Sequence, residues 1–160
     1  MIQSVNPAPT DETDGLPMPR RIWAVISVGF ALCMSVLDVN IINIVLPTLS
    51  HDFGTSPAVT TWIINGYQLA IVVSLLSFSA LGEIIGYRKV YLSGIGLFCI
   101  TSLIRALSDS FWTLTIARIF QGFSASAITS VNTAQLRYIY PKSQLGRGMG
   151  INAMVVAISA

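Results

Sequence analysis

The sequence predicts an all-α membrane protein, and three observations support this fold class. Only 10% of the 160 residues are charged while 53% are hydrophobic, whereas soluble domains carry about 25% charged residues. Apolar runs long enough to cross a bilayer recur along the chain. The basic residues outside these runs are concentrated in alternate connections between them. This composition excludes a soluble globular enzyme, a disordered protein and a nucleic-acid binder.

Residues 1–21 are expected to form a flexible cytoplasmic tail. Residues 1–19 are mostly polar and contain four prolines and three acidic residues. Such a stretch buries too little apolar surface to fold. Arg20 and Arg21 close the tail, and the membrane domain is predicted over 22–160.

The first apolar run, 22–47, predicts a membrane-spanning helix. Its 26 residues would extend roughly 39 Å at about 1.5 Å per residue, which exceeds the hydrocarbon thickness of about 30 Å. Later runs are interrupted by short polar connections, and the last is still apolar where the sequence stops. We therefore expect a truncated chain with four spanning helices and the start of a fifth, at about 22–47, 61–85, 90–107, 111–134 and 149–160.

The distribution of Lys and Arg predicts a cytoplasmic N-terminus. The connections at 48–60 and 108–110 contain no Lys or Arg. The opposite side carries all of the basic residues that lie outside the apolar runs: Arg20, Arg21, Arg88, Lys89, Arg137, Lys142 and Arg147. Because basic connections stay in the cytoplasm, this side is predicted to be the inner one.

Two charged residues inside the apolar runs are the main candidates for function. A charge at bilayer depth costs about 2.5–3.5 kcal/mol on insertion scales and usually faces protein or water. Asp38 lies nine residues before Pro47, and Arg118 lies seven residues into the fourth run, so both belong to the outer half. We predict that they influence each other across a central cavity. The alternative for Asp38 is a permanent ion pair that fixes helix packing.

The fourth run carries a stripe of polar and small residues on one helix face. At about 100° per residue its members fall within about 60° of one another, and they are Arg118, Gln121, Gly122, Ala125, Thr129 and Asn132. The small residues favour close helix packing. The Arg and Gln instead indicate a water-accessible cavity, which is the preferred interpretation and makes Gln121 and Asn132 lining candidates.

Other polar residues within the runs are weaker candidates. Asn40 and Asn43 share a face at i,i+3 spacing, where they either line the cavity or form interhelical hydrogen bonds. Gln68 is a further lining candidate near the outer end of the second run. Arg105 is interpreted as snorkelling to the interface or pairing with Asp109 four residues later.

The sequence contains none of the motifs of conventional enzyme chemistry. G-x-S-x-G, C-x-x-C, H-E-x-x-H and the phosphate-binding G-x-x-x-x-G-K are all missing. We therefore expect no enzymatic activity, no metal site and no cofactor. Without an ATP-binding loop, any uphill transport by this chain would draw on an ion gradient.

Three segments together resemble the major facilitator superfamily, in particular its fourteen-helix drug:proton antiporter branch. Residues 37–47, LDVNIINIVLP, are similar to that branch's first-helix motif L-D-x-T-I-V-N-V-A-L-P. Residues 82–89, GEIIGYRK, resemble the end of the loop motif A-D-R-x-G-R-K, although Ile84 stands where that motif has Arg. Residues 117–122, ARIFQG, contain the fourth-helix motif R-x-x-Q-G.

The resemblance implies two pseudo-symmetric bundles of six helices around a midplane cavity, with transport by alternating access. This chain would supply part of the N-terminal bundle, and its partners would be the bilayer, a small-molecule substrate and the missing C-terminal helices. Asp38 would exchange a proton or a cationic substrate, and Arg118 would tune it. A cytoplasmic gate would involve Glu83, Gly86, Arg88 and Lys89, although the last two could serve topology alone.

The expected function is therefore secondary active transport in a bacterial inner membrane. The preferred form is proton-coupled efflux, or antiport, of amphipathic or cationic drugs, with the proton gradient as the energy source. Alternatives are an uptake symporter or facilitator for a small metabolite, and an inert truncated fragment of such a transporter. A non-transporting membrane anchor or receptor is an alternative from another class, and it would not need a charge at Asp38.

Overall fold

The computed structural model describes residues 15–159, and the regular structure in this range is entirely helical. The prediction of an all-α fold is confirmed. A short 3-10 helix, Lys142–Gln144, precedes the last α-helix. The α-helices are α1 (Met18–Asp52), α2 (Pro57–Ile85), α3 (Tyr87–Ala106), α4 (Phe111–Ile139) and α5 (Leu145–Ser159).

Helix α1 extends beyond the predicted run at both ends. It begins at Met18, with Pro19 in the first turn, where a missing backbone N–H leaves no intrahelical hydrogen bond unmade. It also continues past Pro47 to Asp52. The prediction of a flexible tail is therefore wrong for residues 18–21, which are helical, and residues 1–14 lie outside the described range.

Helices α2, α4 and α5 also extend beyond their predicted bounds. Helix α2 begins at Pro57 because the Ser56 side chain accepts a hydrogen bond from the Val59 backbone N–H. Helix α4 continues five residues beyond the predicted end at 134, and α5 begins four residues before 149. An apolar run marks the part of a helix that lies in hydrocarbon, whereas the helix itself continues into the polar interface.

Helix α4 is the centre of the bundle. It packs extensively against α2 and α3, while α1 makes smaller contacts with α2, α4 and α5. A Cβ atom at Gly122 would lie 2.5 Å from the Tyr67 carbonyl oxygen, so glycine is what allows α2 and α4 to approach this closely. Apolar packing between α3 and α4 involves the buried side chains of Val90, Phe98, Ile128 and Val131.

Within residues 15–159, three helices are long and apolar enough to cross a membrane: α1, α2 and α3. Helix α4 has 29 residues, a length of roughly 43 Å, but carries buried polar residues along its inner face. A helix surrounded by other helices can be this polar because those neighbours shield it from lipid. The arrangement is that of a multi-pass membrane protein.

The two ends of the bundle differ in charge. The connections 53–56 and 107–110 lie together at one end, where the rings of Phe53 and Phe111 are 6.2 Å apart. We call this the non-basic end, since neither connection contains Lys or Arg. At the opposite, basic end, Nη1 of Arg21 donates a hydrogen bond to Oε1 of Gln144 over 2.9 Å.

Candidate functional site

The carboxylate of Asp38 joins three helices. Arg118 of α4 donates a hydrogen bond from Nη1 to Oδ2 of Asp38 over 2.6 Å. Arg105 of α3 donates from Nη1 to the other carboxylate oxygen, Oδ1. Arg118 also points Nη2 at the backbone carbonyl of Asp38, 3.5 Å away. The Asp38 carboxylate on α1 thus forms ion pairs with one arginine of α3 and one arginine of α4.

Three further side chains complete this charge cluster, and they are Tyr67, Ser102 and Gln121. Gln121 accepts a hydrogen bond from Nη1 of Arg105 at 2.7 Å and donates from Nε2 to the Ser102 hydroxyl at 3.1 Å. The Tyr67 ring lies 5.6 Å from the Arg118 guanidinium carbon, a cation–π contact. Gln121 therefore ties α3 to α4, and Tyr67 connects the cluster to α2.

Most of the charge cluster is shielded from solvent. Arg118 is 1% exposed, Gln121 is fully buried and Asp38 is 9% exposed, whereas the Arg105 side chain is 20% exposed. Charges interact more strongly in such a low-dielectric interior than in water. With two guanidinium groups and one carboxylate, the cluster has a formal charge of +1, and no other acid in the described part of the chain pairs with either arginine.

The predicted proximity of Asp38 and Arg118 is confirmed. The two side chains are in direct contact, however, and are not separated by a cavity. The interpretation of the helix-four stripe as the wall of a water-accessible cavity is wrong for Arg118, Gln121 and Gly122, because these residues are buried against α1, α2 and α3. Close packing, the alternative interpretation, describes them better.

The other lining candidates lie outside the charge cluster. Asn40 donates a hydrogen bond from Nδ2 to the backbone carbonyl of Ser159 on α5 over 3.1 Å. An interhelical hydrogen bond of this kind was the alternative to a cavity-lining role. Asn43 and Gln68 are exposed on the surfaces of α1 and α2. Asn132 is buried in α4, and its Oδ1 has no hydrogen-bond partner within residues 15–159.

Arg105 is the residue that the sequence interpretation missed. The expectation that it snorkels or pairs with Asp109 is wrong, because its guanidinium turns inward to Asp38 and Gln121. The sequence does contain one indication that Arg105 points inward. Ser102 lies three residues earlier, on the same face of α3. Two polar residues on one face near the end of an apolar run indicate a polar neighbour inside the bundle.

The loop-motif residues lie at the basic end. The side chains of Glu83, Arg88 and Lys89 are exposed. Among residues 15–159, no ion pair includes Glu83 or Arg88. Gly86 is the single residue between α2 and α3 and has a φ of +99°, a conformation that favours glycine. The role of these residues in a cytoplasmic gate stays a prediction.

A separate apolar cavity of about 420 Å³ lies between α1 and α5. Its wall includes Val25, Phe30 and Ile151 and contains no charged side chain. None of the residues of the charge cluster lines this space. Within the described part of the chain, the ion pairs that join different helices therefore lie at the contact of α1 with α3 and α4.

Comparison with known proteins agrees with this architecture. The chain is 50% identical over 152 residues to the uncharacterized transporter YebQ of Escherichia coli (strain K12), an alignment covering 95% of this chain and 33% of that protein. It is 31% identical over 140 residues to the riboflavin transporter RibZ of Clostridioides difficile (strain 630), covering 87% and 31% of the two chains. It is also 32% identical over 127 residues to the drug efflux pump JefA of Mycobacterium tuberculosis (strain ATCC 25618 / H37Rv), covering 79% and 25%.

The chain spans about a third or less of the length of these relatives. Its relatives are transporters and not enzymes, in agreement with the expectation from the sequence. The profile of the Major Facilitator Superfamily matches residues 28–160, which include all six residues of the charge cluster. The chain belongs to the Major Facilitator Superfamily.

Proposed function

We propose that the transporter to which this chain belongs exports amphipathic compounds in exchange for protons, and that Asp38 is the acid on which the exchange depends. The observation that carries this proposal is a carboxylate buried in the membrane and held by arginines from two other helices. Intramembrane acids of this kind mark proton pathways in transporters. Relatives named as a drug efflux pump and as a tetracenomycin C resistance and export protein support the direction of transport.

The proposed mechanism follows from the charge of Asp38. As a carboxylate, Asp38 holds α1 against α3 and α4 through two ion pairs. Addition of a proton removes the negative charge, so both ion pairs are lost and α1 is released from its neighbours. Alternating access requires an interhelical contact with two states of this kind. Arg118 and Gln121 set the geometry of the contact.

The two exposed lining candidates, Asn43 and Gln68, are assigned to a substrate cavity that further helices of the transporter would complete. We propose that Asn43 and Gln68 line this shared space, because both present polar side chains on otherwise apolar helix surfaces. At the basic end, Glu83, Gly86, Arg88 and Lys89 form the cytoplasmic gate, with Gly86 as the turn that connects its two helices.

Substrate-driven proton movement tests the exchange. Full-length transporter is placed in inside-out vesicles with an imposed pH gradient, and a panel of amphipathic dyes is added to the wild type, Asp38→Asn and Asp109→Asn. Asp109 is an exposed acid at the non-basic end and is the matched control. We expect the dyes to dissipate the gradient with the wild type and Asp109→Asn, but not with Asp38→Asn. An equal response from Asp38→Asn would contradict the role of Asp38.

Transport of a small metabolite is the second candidate function. It is favoured by the similarity to a protein named as a riboflavin transporter. Under this alternative the dye panel leaves the pH gradient intact with the wild type. Uptake of labelled riboflavin into right-side-out vesicles would then exceed that of vesicles without the protein.

We also propose a bacterial inner-membrane location with a cytoplasmic N-terminus. The support is the absence of Lys and Arg from the connections of the non-basic end. Single cysteines at position 109 and position 89 are introduced into a full-length protein in which all native cysteines, including Cys33 and Cys99, are replaced by Ser. A membrane-impermeant maleimide should label Asp109→Cys in intact cells, and Lys89→Cys only after permeabilisation. The reverse pattern would contradict the orientation.

A further inference from the structure

The charge cluster has more positive charge and more hydrogen-bond donors than its own residues balance. Asp38 supplies one negative charge to two arginines, and among residues 15–159 neither arginine has another acidic partner. The Nε of Arg118 is also buried without a hydrogen-bond partner in this range. An uncompensated positive charge within a membrane protein is costly. The cluster is therefore suited to one additional anionic group.

Arg105 offers the place where such a group can bind. Its Nη1 donates to both Asp38 and Gln121, whereas no hydrogen bond within the described residues uses its Nε or Nη2. These two nitrogens form one edge of the planar guanidinium group, and such an edge matches the two oxygens of a carboxylate. Arg105 is also the more exposed of the two arginines, because Arg118 is almost completely covered.

The free edge of Arg105 is held in a fixed orientation. Gln121 accepts from Nη1 of Arg105 and is itself fixed by its hydrogen bond to Ser102, which lies one helical turn before Arg105 on α3. Asp38 fixes the same nitrogen from the side of α1. Because two hydrogen bonds hold one end of the guanidinium group, little conformational entropy is lost when a ligand binds the other edge.

We propose that the Nε–Nη2 edge of Arg105 binds the carboxylate of the transported molecule. The substrates are then amphipathic carboxylates and not cationic drugs, which were one of the two classes expected from the sequence, since a cation at this site would meet a surplus of positive charge. This inference rests on the proposed function, because it assigns the ligand to the transported substrate. A carboxylate from another part of the transporter is the competing source, and the experiment separates the two.

Equilibrium binding of three related fluorophores to purified full-length transporter tests the inference. Dansyl-leucine carries a carboxylate, dansyl-leucinamide is its neutral amide, and dansylcadaverine is cationic. We expect the wild type to bind dansyl-leucine about tenfold more tightly than the amide and to bind dansylcadaverine more weakly still. Arg105→Gln should bind dansyl-leucine and the amide with nearly equal affinity, while its affinity for the amide stays the same.

Two further variants serve as controls. Arg137→Gln removes an exposed arginine at the basic end and should keep the wild-type preference for the carboxylate. Arg105→Lys keeps the charge but removes the two-nitrogen edge, so it should retain only part of the preference. Binding of the neutral amide by each variant also reports a folded site. If Arg105→Gln does not fold, a full preference in Arg105→Lys would still overturn the proposal.

Several results would overturn the inference. Equal binding of the three probes by the wild type, or no binding of dansyl-leucine, would mean that a carboxylate of the transporter itself occupies the edge or that no carboxylate binds there. An undiminished preference in Arg105→Gln would place the anion elsewhere. Failure of the proposed function is distinguishable, because the wild type would then show the carboxylate preference without any substrate-driven proton movement.

Discussion

At the level of single residues, Asp38 pairs with two guanidinium groups through one carboxylate in a shielded environment. The pairs with Arg105 and Arg118 use different oxygens, so neither arginine displaces the other. Removing one member of a buried ion pair is costly because its partner is left unpaired, whereas removing both is often nearly neutral. The contribution of these residues is therefore a property of the group and not of any one member.

A double-mutant cycle makes this interdependence measurable. In the full-length protein, we expect Asp38→Asn to lower the free energy of unfolding by about 3–5 kcal/mol, because two arginines lose their counter-charge. Adding Arg118→Gln should restore part of that loss. The measurement is denaturant-induced unfolding in detergent of the wild type, both single variants and the double variant. Strictly additive effects would mean that the pair is not energetically coupled.

Tyr67 should stabilise Arg118 through its ring and not through its hydroxyl group. The guanidinium carbon lies 5.6 Å from the ring centroid, and such contacts contribute about 0.5–2 kcal/mol. Tyr67→Leu should therefore destabilise the protein by about that amount, while Tyr67→Phe should have a much smaller effect. The measurement is thermal unfolding of the two variants side by side. A similar loss of stability in both would assign the stabilisation to the hydroxyl group.

Residue contacts were predictable from the sequence only where two constraints coincided. For Asp38 and Arg118, similar depth and the cost of isolated charges both required proximity, and the structure places them in contact. For Arg105, the sequence gives the depth of its Cα, but a long side chain near a helix end can point to the interface or into the bundle. Asn43 and Gln68 are exposed on their helices, and helical spacing alone does not reveal what would cover them.

At the level of the helices, glycine determines how closely α2 and α4 approach. A Cβ at Gly122 would lie 2.5 Å from a backbone carbonyl oxygen of Tyr67 and 2.8 Å from Cβ of Ala70. Neither atom can move without shifting α2. The glycine of the fourth-helix motif therefore serves packing, while the arginine and glutamine of the same motif belong to the charge cluster.

Two glycine substitutions should accordingly have opposite effects. Gly122→Ala should lower stability by about 1–3 kcal/mol because the helices must separate. Gly96→Ala, on the exposed face of α3 with no atom near the added Cβ, should be neutral or raise stability by up to about 1 kcal/mol through helix propensity. Thermal unfolding of both variants in the full-length protein is the measurement. Equal effects would contradict the close approach at Gly122.

The connection between α2 and α3 should also depend on glycine. Gly86 has a φ of +99°, and an L-residue forced into such a region is destabilised by about 1–3 kcal/mol. We expect Gly86→Ala to show this loss in thermal unfolding. Gly150→Ala, in α5 with open space around the added Cβ, is the control and should not lose stability. No difference between the two would mean that the turn relaxes.

The number and order of the helices were predictable, whereas their ends were not. Backbone groups in hydrocarbon must be hydrogen-bonded within the segment, so an apolar run of spanning length forms a helix. This constraint ends at the membrane interface, where capping hydrogen bonds and side-chain contacts determine the residue at which each helix ends. Hence α1 passes Pro47 and α4 continues to Ile139, beyond the ends of their apolar runs.

At the level of the whole molecule, α2, α3 and α4 form a closely packed unit against which α1 rests. Large apolar side chains are exposed on α1 and α2, including Ile44 on α1 and Leu76 and Ile84 on α2. Surfaces this apolar are suited to contact with lipid or with further helices. The chain spans about a third of the length of its relative YebQ, so we expect further helices to complete any substrate cavity.

The isolated chain of 160 residues should therefore show no proton-coupled transport. Transporters of this fold bind substrate between two repeats near the bilayer midplane, and the chain covers only about a third of the length of its relatives. The measurement is dye-driven dissipation of a pH gradient in proteoliposomes that contain either this chain or the full-length protein. Coupled transport by the chain alone would contradict the expectation.

The long sequence separation within the charge cluster has a consequence for biosynthesis. Asp38 precedes Arg105 by 67 residues and Arg118 by 80. At a synthesis rate of about 5–20 residues per second, roughly 4–16 s pass between translation of Asp38 and translation of Arg118. During this interval α1 leaves the ribosome with an acid whose partners do not yet exist. The apolar residues of α1 must hold it in the membrane until α3 and α4 arrive, so truncated nascent chains that end before α3 should be the least stably inserted.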